Sequence, residues 1–190
     1  MAGEKVDRRV KYTKSLLKNA LVELMQTRHI SGISVSELCK LADVHRSTFY
    51  VHYADQLDLL AKIEQEALEN LKKSLSEQDF NAANPFSVQI LVKILDYVKD
   101  NSELFKALLS ENCDFAFQKD IVDLAQIISS QMAAIHDVRT MEYIKEFSVT
   151  GCLSVLLKWL QNGTAESTTQ IATLVLQMIY SGMNGVTPPE

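Results

Sequence analysis

Cys39, Cys113 and Cys152, with His29, His45, His52 and His136, are the thiols and imidazoles from which nucleophilic or metal chemistry would have to be built in this 190-residue chain. A thiolate nucleophile needs a base within reach, and a metal needs ligands at short regular spacing such as CxxC. No pair among these residues stands in such a motif, so no catalytic residue, metal ligand or cofactor is assigned, and the cysteines read as buried, reduced thiols. A different chemistry is concentrated between positions 45 and 52, where the run HRSTFYVH brings together His45, Arg46, Ser47, Thr48, Tyr50 and His52. Arg can grip guanine with two hydrogen bonds, and Ser or Thr can contact bases or phosphates. Displayed on one side of a helix, these groups form a face suited to the major groove.

Such a face needs a second helix to brace it. Ser34 stands three residues before Glu37, a capping box that opens a short helix carrying Leu38, Leu41 and Ala42 and ending near Asp43. After Asp43-Val44 the apolar positions Phe49, Tyr53, Leu57 and Leu60 resume helical spacing, so Phe49, Tyr53 and Leu57 are expected in the core. Leu38, Ala42, Val44, Phe49 and Tyr53 supply the buried side of this helix-turn-helix, which leaves the polar run outside. An earlier helix, Tyr12 to Met25, carries Leu16, Leu17, Ala20, Leu21, Leu24 and Met25 on one face. Asp55 is a good N-cap for a long helix from about Gln56 into the Glu77 region.

Further helices follow from the caps and breakers. Asn84-Pro85 starts one that runs to about Asp100, Ser102-Glu103 begins a short one, and Asp114 caps another reaching roughly Ile135. Asp137 precedes a helix of about 24 residues that Asn162-Gly163 ends, and the last spans Ser167 to near Tyr180. No stretch alternates with period two long enough for a strand. The expected fold is all-α with about nine helices: a three-helix DNA-binding module over 1–55, then a helical regulatory and dimerisation domain over 56–190. The first residues lack an apolar signal-peptide region, and no run of 18 apolar residues occurs, so a cytoplasmic protein with no membrane partner is expected. The net charge of −5 conceals a division, with 10 Lys and Arg against 7 Asp and Glu in 1–62 and 9 against 17 afterwards. The basic surplus lies where phosphate contacts would need it.

The segment VSELCKLADVHRSTFYVHYADQLDLL closely resembles the N-terminal module of the tetracycline-repressor (TetR) family of bacterial regulators. Tyr50, His52, Tyr53 and Leu57 fit that family's Tyr-x-His-Phe-like signature, with Tyr53 in place of the usual Phe. The resemblance spans roughly residues 8–60. It implies that Tyr50 donates its hydroxyl to a phosphate, that Arg46, Ser47, Thr48 and His52 lie towards the groove, and that Ser34 and Ser36 meet backbone phosphates. Three positions depart from the family: Asp43 replaces the usual turn Gly, His45 replaces a capping Ser or Thr, and Gln56 replaces a phosphate-contacting Lys. Of the DNA-binding positions carried over, His45 is a weaker cap than Ser or Thr, and Gln56 forfeits one ionic phosphate contact.

Between Phe147 and Leu160 only Lys158 is charged, and Ser167 to Pro189 contains no charge at all. Helices apolar on every side must be covered all round, which points to a helix pair meeting its copy across a two-fold axis. Phe147, Gly151, Ser154, Val155, Leu174 and Met178 are the expected interface, with Gly151 and Ser154 permitting close approach; the resemblance implies the same pairing. It also implies a small-molecule effector held in the body, for which Tyr97, Phe105, Phe115, Phe117, Met132, Tyr143 and Trp159 are candidate lining residues. The function expected is that of a homodimeric regulator of a palindromic double-stranded operator, a repressor released by its effector. The alternative, drawn from the acidic pI of 5.4 and from Gln56, is a helical interaction adaptor that has lost DNA binding.

Overall fold

The computed structural model describes residues 2–76, 88–113, 115–129 and 138–185. Among them every regular element is helical, and the chain divides into two compact units, residues 1–67 with 103–117 and residues 68–102 with 118–190.

In the first unit α1 (Ala2–Met25) begins ten residues before the expected Tyr12. A 3₁₀ turn (Ile30–Gly32) leads to α2 (Val35–Leu41), α3 (Arg46–His52) and the start of α4 (Gln56–Ser76). Leu17, Leu21, Met25, Leu38, Phe49 and Leu60 are fully buried in this unit and hold α1, α2 and α3 together. Leu57 departs from expectation: it is 49% exposed, and α4 instead buries Leu59, Leu60, Ile63 and Ala67. The helix is re-nucleated at Asp55, so the phase of its apolar face is set afresh rather than continued from α3.

A later stretch of chain completes this unit. α6 (Ser102–Leu108) buries Leu104, Phe105, Ala107 and Leu108, and the Phe105 and Phe117 rings lie 6.2 Å apart. Asn112 donates through Nδ2 to the Met25 carbonyl at 3.0 Å and accepts from the Ile30 amide at 3.0 Å, while Gln26 Nε2 donates to the Glu103 carbonyl at 2.9 Å. The returning segment thereby satisfies a backbone oxygen that the last turn of α1 would otherwise leave without a partner.

The second unit contains α5 (Val88–Asp100), most of α7 (Phe115–Ser129), α8 (Val138–Gln161) and α9 (Thr168–Gly185), with α9 packed on both α5 and α8. The 24-residue α8 ends in a Schellman motif: Gly163 has φ 76°, its amide donates to the Leu160 carbonyl, and the Thr164 amide donates to the Trp159 carbonyl. Ser167 and Gln170 then form a reciprocal capping box that opens α9. Asn84-Pro85, Asp114, Met132, Ile135 and Asp137 lie outside the described residues. No described helix is long and apolar enough to cross a membrane.

Candidate nucleic-acid interface

The turn that presents α3 is built from side chains legible in the sequence. Ser34 accepts the Glu37 amide through Oγ at 3.2 Å, fixing the start of α2, and the Glu37 carboxylate pairs with Arg28 at 2.8 Å. Asp43 adopts φ 51°, the left-handed conformation that Asp tolerates better than most residues, and the Val44 amide returns to the Cys39 carbonyl at 3.0 Å. His45 occupies the N-cap of α3 without a side-chain cap bond, so its ring is left exposed.

Within α3, Phe49 and Tyr53 are buried, and the Phe49 ring meets both Tyr50 and Tyr53 at 5.5 Å between centroids. That anchors one side of the helix and turns Arg46, Ser47, Tyr50 and Val51 outward, at one-turn spacing. Arg46 and Ser47 are exposed, Tyr50 is 52% exposed, and Thr48 and His52 are half-buried at the flanks. Hydrogen bonding with the Tyr50 side chain, one turn on, raises the Arg46 pKa above its ordinary value. Ser36 is exposed on α2, and Gln56 is half-buried in the first turn of α4. All nine positions carried over from the resemblance thus fall on the helix-turn-helix or its borders. Val51, outside that set, is 76% exposed on the outward side of α3, and an apolar side chain gives no hydrogen-bonding signal by which to single it out.

The corner between α3 and α4 is knitted by three side chains. Asp55 Oδ1 accepts the Asp58 amide at 2.8 Å, Asp58 Oδ2 accepts the Ala54 amide at 2.9 Å, and Lys62 Nζ donates to Asp58 at 3.0 Å and to the His52 carbonyl at 3.1 Å. Lys62 also lies 5.0 Å from the centroid of the Tyr53 ring. The Ala54 amide and Lys62 hold the Asp58 carboxyl below its usual range, and the Arg28 guanidinium does the same for Glu37. A carboxylate depressed in the folded state favours folding above its unfolded value, 3.8 for Asp58 and 4.5 for Glu37, and that contribution is lost as pH falls through the lowered folded value. An acid titration followed by circular dichroism is expected to be shallower below pH 3.8 for Asp58→Asn than for the wild type. Superimposable titrations would mean that the Asp58 contacts contribute nothing.

The other expected site residues are distributed over both units. Phe105 and Phe117 fill the core of the first. Trp159, in the second, is buried and donates through Nε1 to the Glu166 carbonyl at 3.1 Å; Tyr97 is half-buried on α5. Tyr143 lies in a groove of about 660 Å³ between α8 and α9, with Phe147, Gly151, Val155 and Met178. Phe147 is 79% exposed there, and Leu174 and Ser154 are exposed on the same two helices. Of the cysteines, Cys39 and Cys113 are buried, whereas Cys152 is half-buried in this groove, its thiol pushed up to about 11 by desolvation.

Comparison with known proteins agrees with this architecture. A TetR-type family described as "Transcriptional regulator C-terminal region" matches residues 87–181. An uncharacterized HTH-type transcriptional regulator, YxbF of Bacillus subtilis, is 21% identical over 170 residues, which is 86% of this chain but 43% of that protein. The chain spans about half the length of the curated relatives it matches, 43% and 60%. The crystal structure of a TetR transcriptional regulator from Streptococcus agalactiae superposes with a TM-score of 0.64 at 24% identity, covering 93% of this chain and 98% of that one. The regulator FadR of Bacillus subtilis, solved in complex with stearoyl-CoA, gives 0.61 at 15% identity, covering 88% of this chain and 98% of its own. With half of its length matched by the family of regulator C-terminal regions and its helix order shared with these structures, the chain belongs to the TetR family of transcriptional regulators.

Proposed function

We propose that this chain is a homodimeric repressor that reads a palindromic operator with α3 and releases it when a small-molecule effector binds. The observation that carries the reading is the outward face of α3, where Arg46, Ser47, Tyr50 and Val51 stand exposed over a buried Phe49 and Tyr53. Residues 1–55 supply DNA binding and residues 56–190 supply dimerisation and effector response, in a cytoplasmic protein. Two recognition helices reading successive major grooves must lie about 34–36 Å apart, and the apolar groove between α8 and α9 is the surface on which a second copy would fix that distance. The stearoyl-CoA bound by the Bacillus FadR supports an effector, since both proteins share the fold. An effector acts only through its preference for a body conformation in which the two heads are wrongly spaced.

Mobility-shift titration at graded salt tests this reading with palindromic fragments from the protein's own promoter region. A preference for one palindrome over random DNA is expected; binding that never exceeds the random control would sink the regulator and favour the adaptor. Val51 sharpens the operator. The thymine 5-methyl is the apolar group displayed in the major groove, so Val51 is assigned to a thymine in each half-site. Replacing that thymine by uracil is expected to weaken the wild type about three- to tenfold and to leave Val51→Ala unchanged. If no thymine in the half-site shows this dependence on Val51, the assignment fails.

A further inference from the structure

Lys62 is a basic residue in the first unit of a DNA-binding chain, 52% exposed at its side chain, and the ordinary reading of such a lysine is a phosphate contact. Its geometry says otherwise. Nζ has three donors, and it spends two of them inside the protein, on the His52 carbonyl at 3.1 Å and the Asp58 carboxylate at 3.0 Å. Its position over the Tyr53 ring, 5.0 Å from the centroid, adds a third restraint. His52 is the last residue of α3, so the bond falls on a C-terminal carbonyl, where the helix dipole also favours a cation. The other end of the link is equally fixed. Asp58 is tied to the Ala54 amide, and the Asp58 amide to Asp55, so the α4 end of the strut cannot drift.

We infer that Lys62 is a positioning residue: it pins the C-terminus of α3 to α4 and so sets the direction of the reading helix, without itself touching DNA. The inference rests on the reading of α3 as the recognition helix. A helix of only seven residues has little intrinsic stability, so its orientation depends on the tertiary contacts at its ends. Phe49 and Tyr53 hold its buried side, and Lys62 governs the remaining freedom at the end that carries His52.

Two variants of the full chain separate this role from a phosphate contact. Lys62→Met keeps the aliphatic stem and removes the donors; Asp58→Asn keeps the bond from Ala54 but removes the charge that holds Lys62. A lysine bound to phosphate would be freed by Asp58→Asn, and the loss of an acidic group would tighten DNA binding. The clamp requires the opposite: both variants lower operator affinity about tenfold, the slope of log K against log salt stays at its wild-type value, and Lys62→Arg restores most of the binding. The thermal midpoint should move little, because the pair is largely solvated. A slope reduced by about one in Lys62→Met, or tighter binding by Asp58→Asn, would overturn the proposal. Amide hydrogen exchange in the free protein gives an answer that needs no DNA. Protection at Phe49, Tyr50 and Tyr53 should fall in Lys62→Met relative to α2, and unchanged protection would also overturn it. If the wild type bound no operator while the exchange behaved as expected, the clamp would stand and the function assigned to α3 would fall.

Discussion

Arg46→Ala is expected to weaken operator binding by about 1–3 kcal/mol, roughly five- to 150-fold, and to flatten the preference between operator and random DNA. Arg46 is exposed at the start of α3 and carries the longest side chain on the outward face. Its guanidinium is the group able to grip guanine O6 and N7 together, so its loss removes sequence information as well as charge. Arg46→Lys should recover little, because an ammonium is a point donor and cannot reproduce the planar fork. Tyr50→Phe is a revealing companion. A tyrosine that meets only phosphate would, when changed to Phe, weaken all sequences alike. Tyr50 stands exposed on the outward face one turn after Arg46, and Tyr50→Phe is expected to act in that way, by the same factor on both duplexes. Titrations of one operator and one scrambled duplex check both expectations. A loss for Arg46→Ala that is equal on the two duplexes would show that Arg46 does not read bases.

Gly151→Leu is expected to produce a folded monomer that has lost operator binding by about a hundredfold or more. Gly151 lies in the middle of α8, and a Cβ added there meets nothing within 4 Å. Within one chain the first added carbon is therefore free of collision, and leaving Gly for a good helix former should gain up to about 1 kcal/mol in helix propensity. The side chain would instead fill the groove lined by Phe147, Val155 and Met178, where a second copy is proposed to sit. Losing the partner removes the second half-site contact and the effective concentration that comes with it. Sedimentation measures the assembly and a mobility shift measures the binding. Phe147→Glu, which places a charge at a position 79% exposed, should act in the same way. A Gly151→Leu protein that stays dimeric and still binds would place the two-fold axis elsewhere.

Local chemistry was legible in the sequence wherever one side chain decides one backbone feature. Ser34 and Asp55 cap the helices expected of them, Asp43 takes the left-handed turn, and Gly163 ends α8. The outward placement of Arg46, Ser47 and Tyr50 also followed, because Phe49 and Tyr53 had to face the core. What escaped depends on tertiary neighbours. Leu57 and Leu60 look alike in a spacing argument, yet the cap at Asp55 restarts α4 and leaves Leu57 half in water. Val51 is not singled out by the sequence, since only the packing of Phe49 tells which way it points. Lys62 is ten positions from His52, and nothing in the spacing announces that its ammonium would find that carbonyl. The aromatic residues expected to share a ligand site were read from resemblance rather than from contacts; Phe105 and Phe117 lie in the core of the first unit.

The return of residues 103–117 to the first unit bears on how such regulators can be recombined. Cutting after residue 67 would strip away Phe105 and Phe117, leave the Met25 carbonyl and Ile30 amide without Asn112, and expose the apolar end of α1. A reading head transplanted onto a foreign body must therefore either bring its own copy of this insert or find in the new host a loop with an asparagine at the matching place. On the proposed reading of α3, exchange of operator specificity between relatives is easier by regrafting its outer face than by swapping whole N-terminal halves, because the head is stitched to sequence that lies on the far side of any single crossover.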